Sequence, residues 1–191
     1  MKGVDTQKGF YLLDPDNNLP RTQKRLKDFL NSTEWNGITA KRPSHDEFKK
    51  ALSKNDLFIY IGHGSGSQYL PGELVEGSEC RSLVLLYGCS SVKLASRGRQ
   101  SDPWGTVLNY LIASCPCIVG MLWEVTDKDT DYLTKEMLSS LLGRKGVLSS
   151  KDGSEISDVA LLVSKAKASC NWYLNAAALT VYGLPLNFIS S

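Results

Sequence analysis

The stretch LFIYIGHGSG, residues 57–66, is an unbroken run of five apolar residues that ends in a glycine-rich turn. A continuous apolar run of this length predicts a strand that is buried on both faces. Two later runs, Leu83–Tyr87 and residues 118–122, repeat the pattern, and helical spacing of apolar residues fills the segments between the runs. Buried strands that alternate with helices predict an α/β fold, in which helices cover both faces of a mostly parallel sheet.

The composition excludes several classes of protein. The 191 residues suit one domain with a single core, and 22 basic against 20 acidic residues give a net charge of +2. This balance, without a basic stripe, predicts no direct nucleic-acid partner and no anionic membrane partner. No apolar run approaches the roughly 18 residues of a membrane span, and residues 1–5 do not lead into the apolar stretch of a signal peptide.

The five cysteines indicate the redox compartment. An odd number of cysteines in a chain with a sizeable core predicts reduced thiols, and therefore a cytosolic or nuclear location. Their spacing does not resemble a zinc site, because Cys115 and Cys117 flank a proline and no second pair or nearby histidine completes four ligands. We therefore expect neither a metal ion nor a cofactor.

Only two histidines are available for catalysis, and their positions differ. His45 lies at the polar start of a predicted helix, which is typical of a solvated surface residue. His63 follows a buried strand by two residues, at the sheet edge where parallel α/β folds bind their ligands. The glycines on either side of His63 allow unusual backbone angles and the close approach of another molecule. The alternative is a histidine that is merely hydrogen-bonded in a turn.

Cys89 occupies the matching position after the next buried strand, in the sequence YGCSS. Neighbouring strands lie about 4.8 Å apart, so adjacent strands would bring His63 within reach of the thiol. A thiol is mostly protonated at neutral pH and needs a base to become a good nucleophile. We predict that Cys89 is the nucleophile, that His63 is the general base, and that the N–H groups of Cys89 and Gly64 form an oxyanion hole. Taken alone, Cys89 is equally typical of a small buried apolar residue.

The segment WEVTDKDTD, residues 123–131, follows the third buried strand and carries three aspartates. Asp129 has the spacing of a helix-capping residue, whereas Asp127 and Asp131 continue the apolar face of the predicted helix. A carboxylate on a buried face is costly unless it meets a cation. We therefore predict an acidic pocket for a substrate arginine, with Asp131, Asp127 and Trp123 as its substrate-binding residues. The alternative is that the aspartates only complement the helix dipole.

Six stretches of the chain, in this order, resemble the catalytic domain of separase, the protease that cleaves cohesin at anaphase. They are FYLLDPDNNL (10–19), YIGHGSGSQY (60–69), LLYGCSS (85–91), DPWGTVLNY (102–110), GMLWEVTDKDTD (120–131) and YLNAAALTVYGLP (173–185). Together they extend over nearly the whole chain.

The resemblance implies a caspase-like fold and a Cys–His dyad that falls on Cys89 and His63. It implies cleavage after an arginine that has a glutamate three residues before it, with Asp131 as the arginine ligand. The implied substrate is the cohesin kleisin subunit, and the implied inhibitor is securin. The implied location is cytoplasm and nucleus, with chromosomes and spindle in mitosis. Because separases are much longer, residues 1–191 are expected to be a catalytic domain from a larger protein.

Two other functions fit parts of the pattern. A bacterial CHAT-type protease also places His-Gly and Cys after neighbouring strands, but it is not expected to contain the segment from Trp123 to Asp131. A binding module that holds an inhibitor without turnover is the alternative from a different class. A Cys89→Ser variant distinguishes the enzyme from the binding module. In an enzyme, the variant still binds but no longer cleaves. In a binding module, the variant binds as the unchanged chain does, and neither protein cleaves.

Overall fold

The computed structural model describes residues 3–96, 98–99, 101–143, 158–168, 170 and 172–189. Eight strands are present in this part of the chain, and six of them form the central sheet in the order β3-β2-β4-β5-β6-β7. The strands are β1 (Val4–Asp5), β2 (Gly9–Leu13), β3 (Asn36–Thr39), β4 (Leu57–Ile61), β5 (Leu83–Tyr87), β6 (Cys117–Met121), β7 (Leu179–Gly183) and β8 (Phe188–Ile189). Every pair in the sheet is parallel except β6 and β7. The prediction of a mostly parallel sheet is therefore confirmed.

Helices cover both faces of this sheet, as the apolar runs predict. The helices are α1 (Pro20–Asn31), α2 (His45–Lys54), α3 (Gly72–Glu76), α4 (Thr106–Ile112), α5 (Asp127–Leu141), α6 (Val159–Ala168) and α7 (Tyr173–Ala178). Apolar residues of α1, α5 and α6 pack with Ile59, Leu85 and Val119 on one face. Those of α2, α3 and α4 pack with Phe58 and Val84 on the other. Alternate strand residues thus enter opposite cores, which explains the unbroken apolar runs.

Helix starts are predicted correctly where a side chain caps the helix. Ser44 and Glu47 form the predicted capping box at the start of α2, and the Thr126 hydroxyl caps α5. The sequence Asp102-Pro103 also predicts a helix start, but α4 begins only at Thr106. The reason is that Trp104 exchanges two backbone hydrogen bonds with Ala95, which holds this segment in an extended bridge.

The last third of the chain departs most from the helix pattern. One helix is predicted from Glu155 to Tyr173, but the described residues form α6 from Val159 to Ala168 and a separate α7 that begins at Tyr173. The polar connector predicted over residues 143–153 lies, apart from Gly143, outside the described residues.

Candidate active site

The ends of β4 and β5 place His63 and Cys89 at the same edge of the sheet. Ile61 and Tyr87, the last residues of these strands, are paired in register. His63 and Cys89 each follow their strand by two residues. The two strands are therefore neighbours, which is the condition for bringing His63 towards Cys89, and the two side chains leave the sheet at equivalent positions.

Gly88 brings the two loops into direct contact. A methyl group on Gly88 would lie 2.6 Å from the Gly62 carbonyl oxygen and would overlap the carbonyl of Gly64. These two carbonyls flank His63 on either side. Only a residue without a side chain allows the two loops to pack this closely, so Gly88 sets the spacing between the imidazole and the thiol.

The main chain of His63 is fixed from inside the molecule. Its carbonyl oxygen accepts hydrogen bonds from the Tyr60 hydroxyl at 2.6 Å and from the Gln68 amide at 3.2 Å. Burial raises the pKa of Tyr60 far above its usual range, so the hydroxyl keeps the proton that it donates. The turn that follows uses positive φ angles at Gly64 (61°) and Gly66 (79°), which glycine adopts without strain.

The Cys89 turn is held by the neighbouring strand β6 and the segment after it. Ser90 has a φ of 55°, a left-handed conformation that is uncommon for residues other than glycine. Its N–H donates to the Trp123 carbonyl at 3.2 Å. The Ser91 hydroxyl donates to the Leu86 carbonyl at 2.8 Å and accepts from the Met121 N–H at 3.0 Å. These bonds hold the turn in its strained shape, with Cys89 at its tip.

The thiol and the imidazole share one narrow cleft but make separate hydrogen bonds. Cys89 Sγ donates to the Val125 carbonyl at 3.2 Å, and His63 Nε2 lies 3.2 Å from Asn18 Oδ1. Within the described residues no hydrogen bond joins the thiol to the ring. The cleft has a volume of about 20 Å³, room for about one water molecule. It is lined by Leu19, Thr22, Asp127, Thr130, Asp131 and residues 61–63 and 87–89.

The two N–H groups that we predict as oxyanion donors have no competing acceptor. In the described part of the chain, neither the Cys89 N–H nor the Gly64 N–H donates a hydrogen bond. Gly88, between the two loops, is buried, whereas Gly64 and Cys89 are partly exposed. Cys89 lines the cleft, whereas Gly64, the other predicted donor, lies outside its lining residues.

Asp131 is buried, with 3% of its surface exposed, and its carboxylate pairs with a cation of the chain itself, which the sequence does not predict. That cation is Arg25 on α1, whose Nη1 lies 2.6 Å from Asp131 Oδ2. The Thr22 hydroxyl donates to the same oxygen at 3.1 Å. Burial raises the pKa of Asp131 above its usual value, the hydrogen bonds from Arg25 and Thr22 oppose this shift, and the charge of Asp127 adds to it. The carboxylate is thus costly to ionise even with its internal partner.

The two carboxylate oxygens of Asp131 differ in their contacts. Both of its hydrogen bonds end on Oδ2, and no partner of Oδ1 is found among the described residues. No side-chain polar atom that is fully buried in this part of the chain lacks a hydrogen bond. Asp131 keeps only 3% of its surface exposed, and it lines the same cleft as Cys89. A ligand cation in the cleft would approach Oδ1.

The other residues of the predicted pocket have different environments. Asp127 is exposed and lines the cleft. Asp129 exchanges hydrogen bonds with Thr126 and accepts one from the Asn175 amide at 2.6 Å, so its predicted capping role is confirmed. The side chain of Trp123 is 39% exposed and lies outside the residues that line the cleft.

Two features are absent from residues 3–189 wherever the structure describes them. None of the helices there is long and apolar enough to cross a membrane. No group of three or more His, Cys, Asp or Glu side chains is arranged to hold a metal ion.

The chain matches the family described as the protease domain of separin over residues 1–130. The separin of Mus musculus is 38% identical over 187 residues, which cover 97% of this chain and 8% of that protein. The separin of Schizosaccharomyces pombe is 39% identical over 189 residues, which cover 97% of this chain and 10% of that protein. The chain thus spans about a tenth of the length of these relatives.

Solved structures agree with the sequence comparison. A chain in the crystal structure of the Saccharomyces cerevisiae separase–securin complex at 2.6 Å resolution matches 98% of this chain with a TM-score of 0.84 and 30% identity. The match covers 13% of that chain. The fold, the family match and the relatives lead to one conclusion: the chain belongs to the separin protease-domain family.

Proposed function

We propose that the chain is the catalytic domain of a separase-type cysteine endopeptidase that cleaves after arginine. The observation that carries this proposal is the common position of Cys89, His63 and Asp131 in one cleft at the carboxyl edge of the sheet. A thiol, an imidazole and a carboxylate in the same cleft are the three groups that such a reaction needs. Membership of the separin family supports the same chemistry.

The proposed reaction begins with transfer of the Cys89 proton to His63. The thiolate then attacks the carbonyl carbon of the scissile peptide bond, and the resulting oxyanion accepts hydrogen bonds from the N–H groups of Cys89 and Gly64. The imidazolium of His63 returns the proton to the leaving amine, and a thioester remains on Cys89. Water, activated by His63, hydrolyses the thioester and restores the thiol.

The thiol must leave Val125 before it reacts. Its sulfur now donates to the Val125 carbonyl at 3.2 Å and accepts from the Val125 N–H at 3.5 Å. Rotation about the Cα–Cβ bond of Cys89 would turn the sulfur towards His63, since both groups line the same cleft. Catalytic hydrogen bonds are often loose without substrate and tighten in the complex, so this resting geometry is compatible with the proposed reaction.

Specificity for arginine is proposed to rest on Asp131. A substrate guanidinium would donate to Oδ1, while Arg25 retains Oδ2 or gives way to a bidentate contact. Asp127 would add negative charge at the entrance of the cleft, and Trp123 would contact the substrate near its edge. The cleft must widen to accept an arginine side chain, because its present volume of about 20 Å³ is too small.

The natural partners are proposed from the family relationship. The yeast structure is a complex of separase with securin. We propose that this chain likewise binds a securin as a pseudosubstrate inhibitor. Its substrate would be the cohesin kleisin subunit, cleaved at sites with a glutamate three residues before the arginine. Cleavage would then trigger sister chromatid separation at anaphase, in a protein of the cytoplasm and nucleus.

A peptide-cleavage assay tests the proposal. The chain is incubated with a peptide that contains Glu-X-X-Arg, and products are identified by mass spectrometry. We expect cleavage after the arginine, which stops in Cys89→Ser but continues in Cys170→Ser, a matched change at a cysteine outside the cleft. Cleavage by Cys89→Ser would overturn the assignment of the nucleophile. Peptide binding without cleavage by the unchanged chain would favour the binding-module alternative.

A further inference from the structure

The side chain of Asn18 contacts the imidazole ring of His63. The distance from Asn18 Oδ1 to His63 Nε2 is 3.2 Å, and this is the one side-chain hydrogen bond of the imidazole within the described residues. Because the amide oxygen can only accept, Nε2 must carry the hydrogen in this arrangement. The neutral ring then has its lone pair on Nδ1, the nitrogen that is left to take a proton.

The loop that carries Asn18 is built around a buried carboxylate. Asp14 is 1% exposed. Its Oδ1 accepts from the Asn18 N–H at 3.0 Å, and its Oδ2 accepts from the Leu19 N–H at 2.9 Å and the Gln23 amide at 2.6 Å. One buried side chain therefore fixes the path of the backbone on both sides of Asn18.

The same loop is joined directly to the strand that leads to His63. The Asp14 N–H donates to the carbonyl of Ile61 at 2.8 Å, two residues before His63. Asp14 and Asn17 have φ angles of 46° and 54°, left-handed conformations that persist only where surrounding contacts impose them. The loop is thus shaped to hold Asn18 at a constant distance from the end of β4.

We propose that Asn18 is a positioning residue for His63, which rests on the proposed role of His63 as general base. The amide oxygen holds the Nε2–H and so keeps Nδ1 free to accept a proton. During the reaction the proton of Cys89 Sγ moves to Nδ1 and passes from there to the leaving amine. The Nε2–H stays with Asn18 throughout, so the imidazolium is stabilised by the same hydrogen bond.

Asn18→Ala and Asn18→Asp form a matched pair of variants. Alanine removes the acceptor, whereas aspartate keeps an oxygen at the same distance. The Asn18 side chain is exposed and its N–H bond to Asp14 is unaffected, so both variants should fold. Asn36→Ala, an exposed asparagine on the edge strand β3, is the control for loss of a surface amide.

Kinetics with the Glu-X-X-Arg peptide give the first readout. We expect kcat to fall about tenfold or more in Asn18→Ala while KM changes less than about twofold, because only proton transfer is affected. Asn18→Asp should restore most of the lost kcat, and Asn36→Ala should match the unchanged chain. Equal kcat for Asn18→Ala and the unchanged chain would overturn the proposal, as would a failure of aspartate to restore kcat.

NMR relaxation of the imidazole CH groups gives a readout that does not depend on cleavage. The chain contains two histidines, so His45, which is exposed, serves as the internal reference. The ring of His63 should be rigid in the unchanged chain and in Asn18→Asp, and as mobile as His45 in Asn18→Ala. A rigid ring in Asn18→Ala would overturn the proposal. If the His63 ring is rigid in the unchanged chain and in Asn18→Asp but neither protein cleaves the peptide, the result contradicts the proposed function and not the positioning role of Asn18.

Discussion

At the scale of single residues, the site depends on Gly88, where the backbones of the two catalytic loops touch. The carbonyls of Gly62 and Gly64 both lie where a Cβ atom of this residue would stand. Gly88, which has no side chain, thus sets the spacing between the side chains of His63 and Cys89. The same loops contain two positive φ angles that suit glycine and one, at Ser90, that is strained.

We expect Gly88→Ala to separate the two loops and abolish cleavage. The added methyl group would overlap backbone atoms, which cannot move as a flexible side chain can. Overpacking of this kind should lower the free energy of unfolding by about 3 kcal/mol. Denaturant unfolding and peptide cleavage measure the two effects. Gly77→Ala is the control, because its nearest neighbour would lie at 3.5 Å. An active Gly88→Ala enzyme would show that close packing of the loops is unnecessary.

The second prediction at this scale compares two aspartates of α5. Asp131→Asn should lower kcat/KM for an arginine peptide by about a hundredfold. The reason is that the substrate guanidinium would no longer face the negative charge of a buried carboxylate. Asp129→Asn should lower it by at most about threefold, since asparagine can still bond with Thr126 at the helix start. Steady-state kinetics on both variants measure the difference. Equal losses would contradict the pocket assignment.

Individual residues were predictable from the sequence where strand ends mark them. His63 and Cys89 follow apolar runs at the same offset, so the sheet itself aligns them. Arg25 and Asn18 were not predicted, because their partners lie 106 and 45 residues away in the chain. Their contacts depend on how α1 and the loop before it dock on the sheet. A buried carboxylate needs a cation, and this is the one feature of the sequence that could have indicated Arg25. From the sequence, that cation is assigned to the substrate instead.

At the scale of elements, α1 and α5 pack side by side over one face of the sheet. Arg25 on α1 and Asp131 on α5 form an ion pair where the two helices meet. The arginine side chain is 38% exposed and the aspartate side chain is 3% exposed. The helix that carries the predicted specificity residue is therefore bonded to the helix that follows the Asn18 loop. Both helices begin at the carboxyl edge of the sheet, next to the cleft.

We expect Arg25→Gln to destabilise the chain in a pH-dependent way. The pKa of Asp131 is already raised in the folded state, so its ionisation opposes folding at neutral pH. Loss of Arg25 increases that cost. The variant should be less stable by about 1–2 kcal/mol at neutral pH, below the value for a fully buried pair because Arg25 is partly exposed. The deficit should shrink as the pH falls through the folded pKa of Asp131, where the carboxyl becomes neutral.

Denaturant unfolding at several pH values measures this effect. The double variant Arg25→Gln/Asp131→Asn is the control, and it should show no such pH-dependent deficit. A deficit in Arg25→Gln that is constant with pH would mean that Arg25 acts through packing alone.

Elements were predictable where periodicity and capping agree, as in α2 and α5. The start of α4 was not, because a bridge between Ala95 and Trp104 outweighs the local capping signal of Asp102-Pro103. The sequence pattern also does not predict the short helix α3 or the pairing of β1 with β8. A helix of five residues has little more than one turn, and a strand of two residues shows no alternation, so neither establishes a period.

At the scale of the whole molecule, the sheet and its two cores carry the stability, and the catalytic groups lie at its edge. His63 is exposed and its side chain makes a single hydrogen bond within the described residues. We expect His63→Ala to change the free energy of unfolding by less than about 0.5 kcal/mol while it abolishes cleavage. Thermal unfolding beside the cleavage assay tests this separation. A large loss of stability would mean that His63 is structural.

Covalent capture of the nucleophile examines Cys89, His63 and the arginine specificity in one experiment. The chain is mixed with an acyloxymethyl ketone peptide that ends in arginine, and the adduct is located by mass spectrometry, with His63→Ala in parallel. We expect a single adduct on Cys89 that is lost in His63→Ala, although both proteins are folded. An adduct on another cysteine, or a Cys89 adduct that forms equally well without His63, would contradict this expectation.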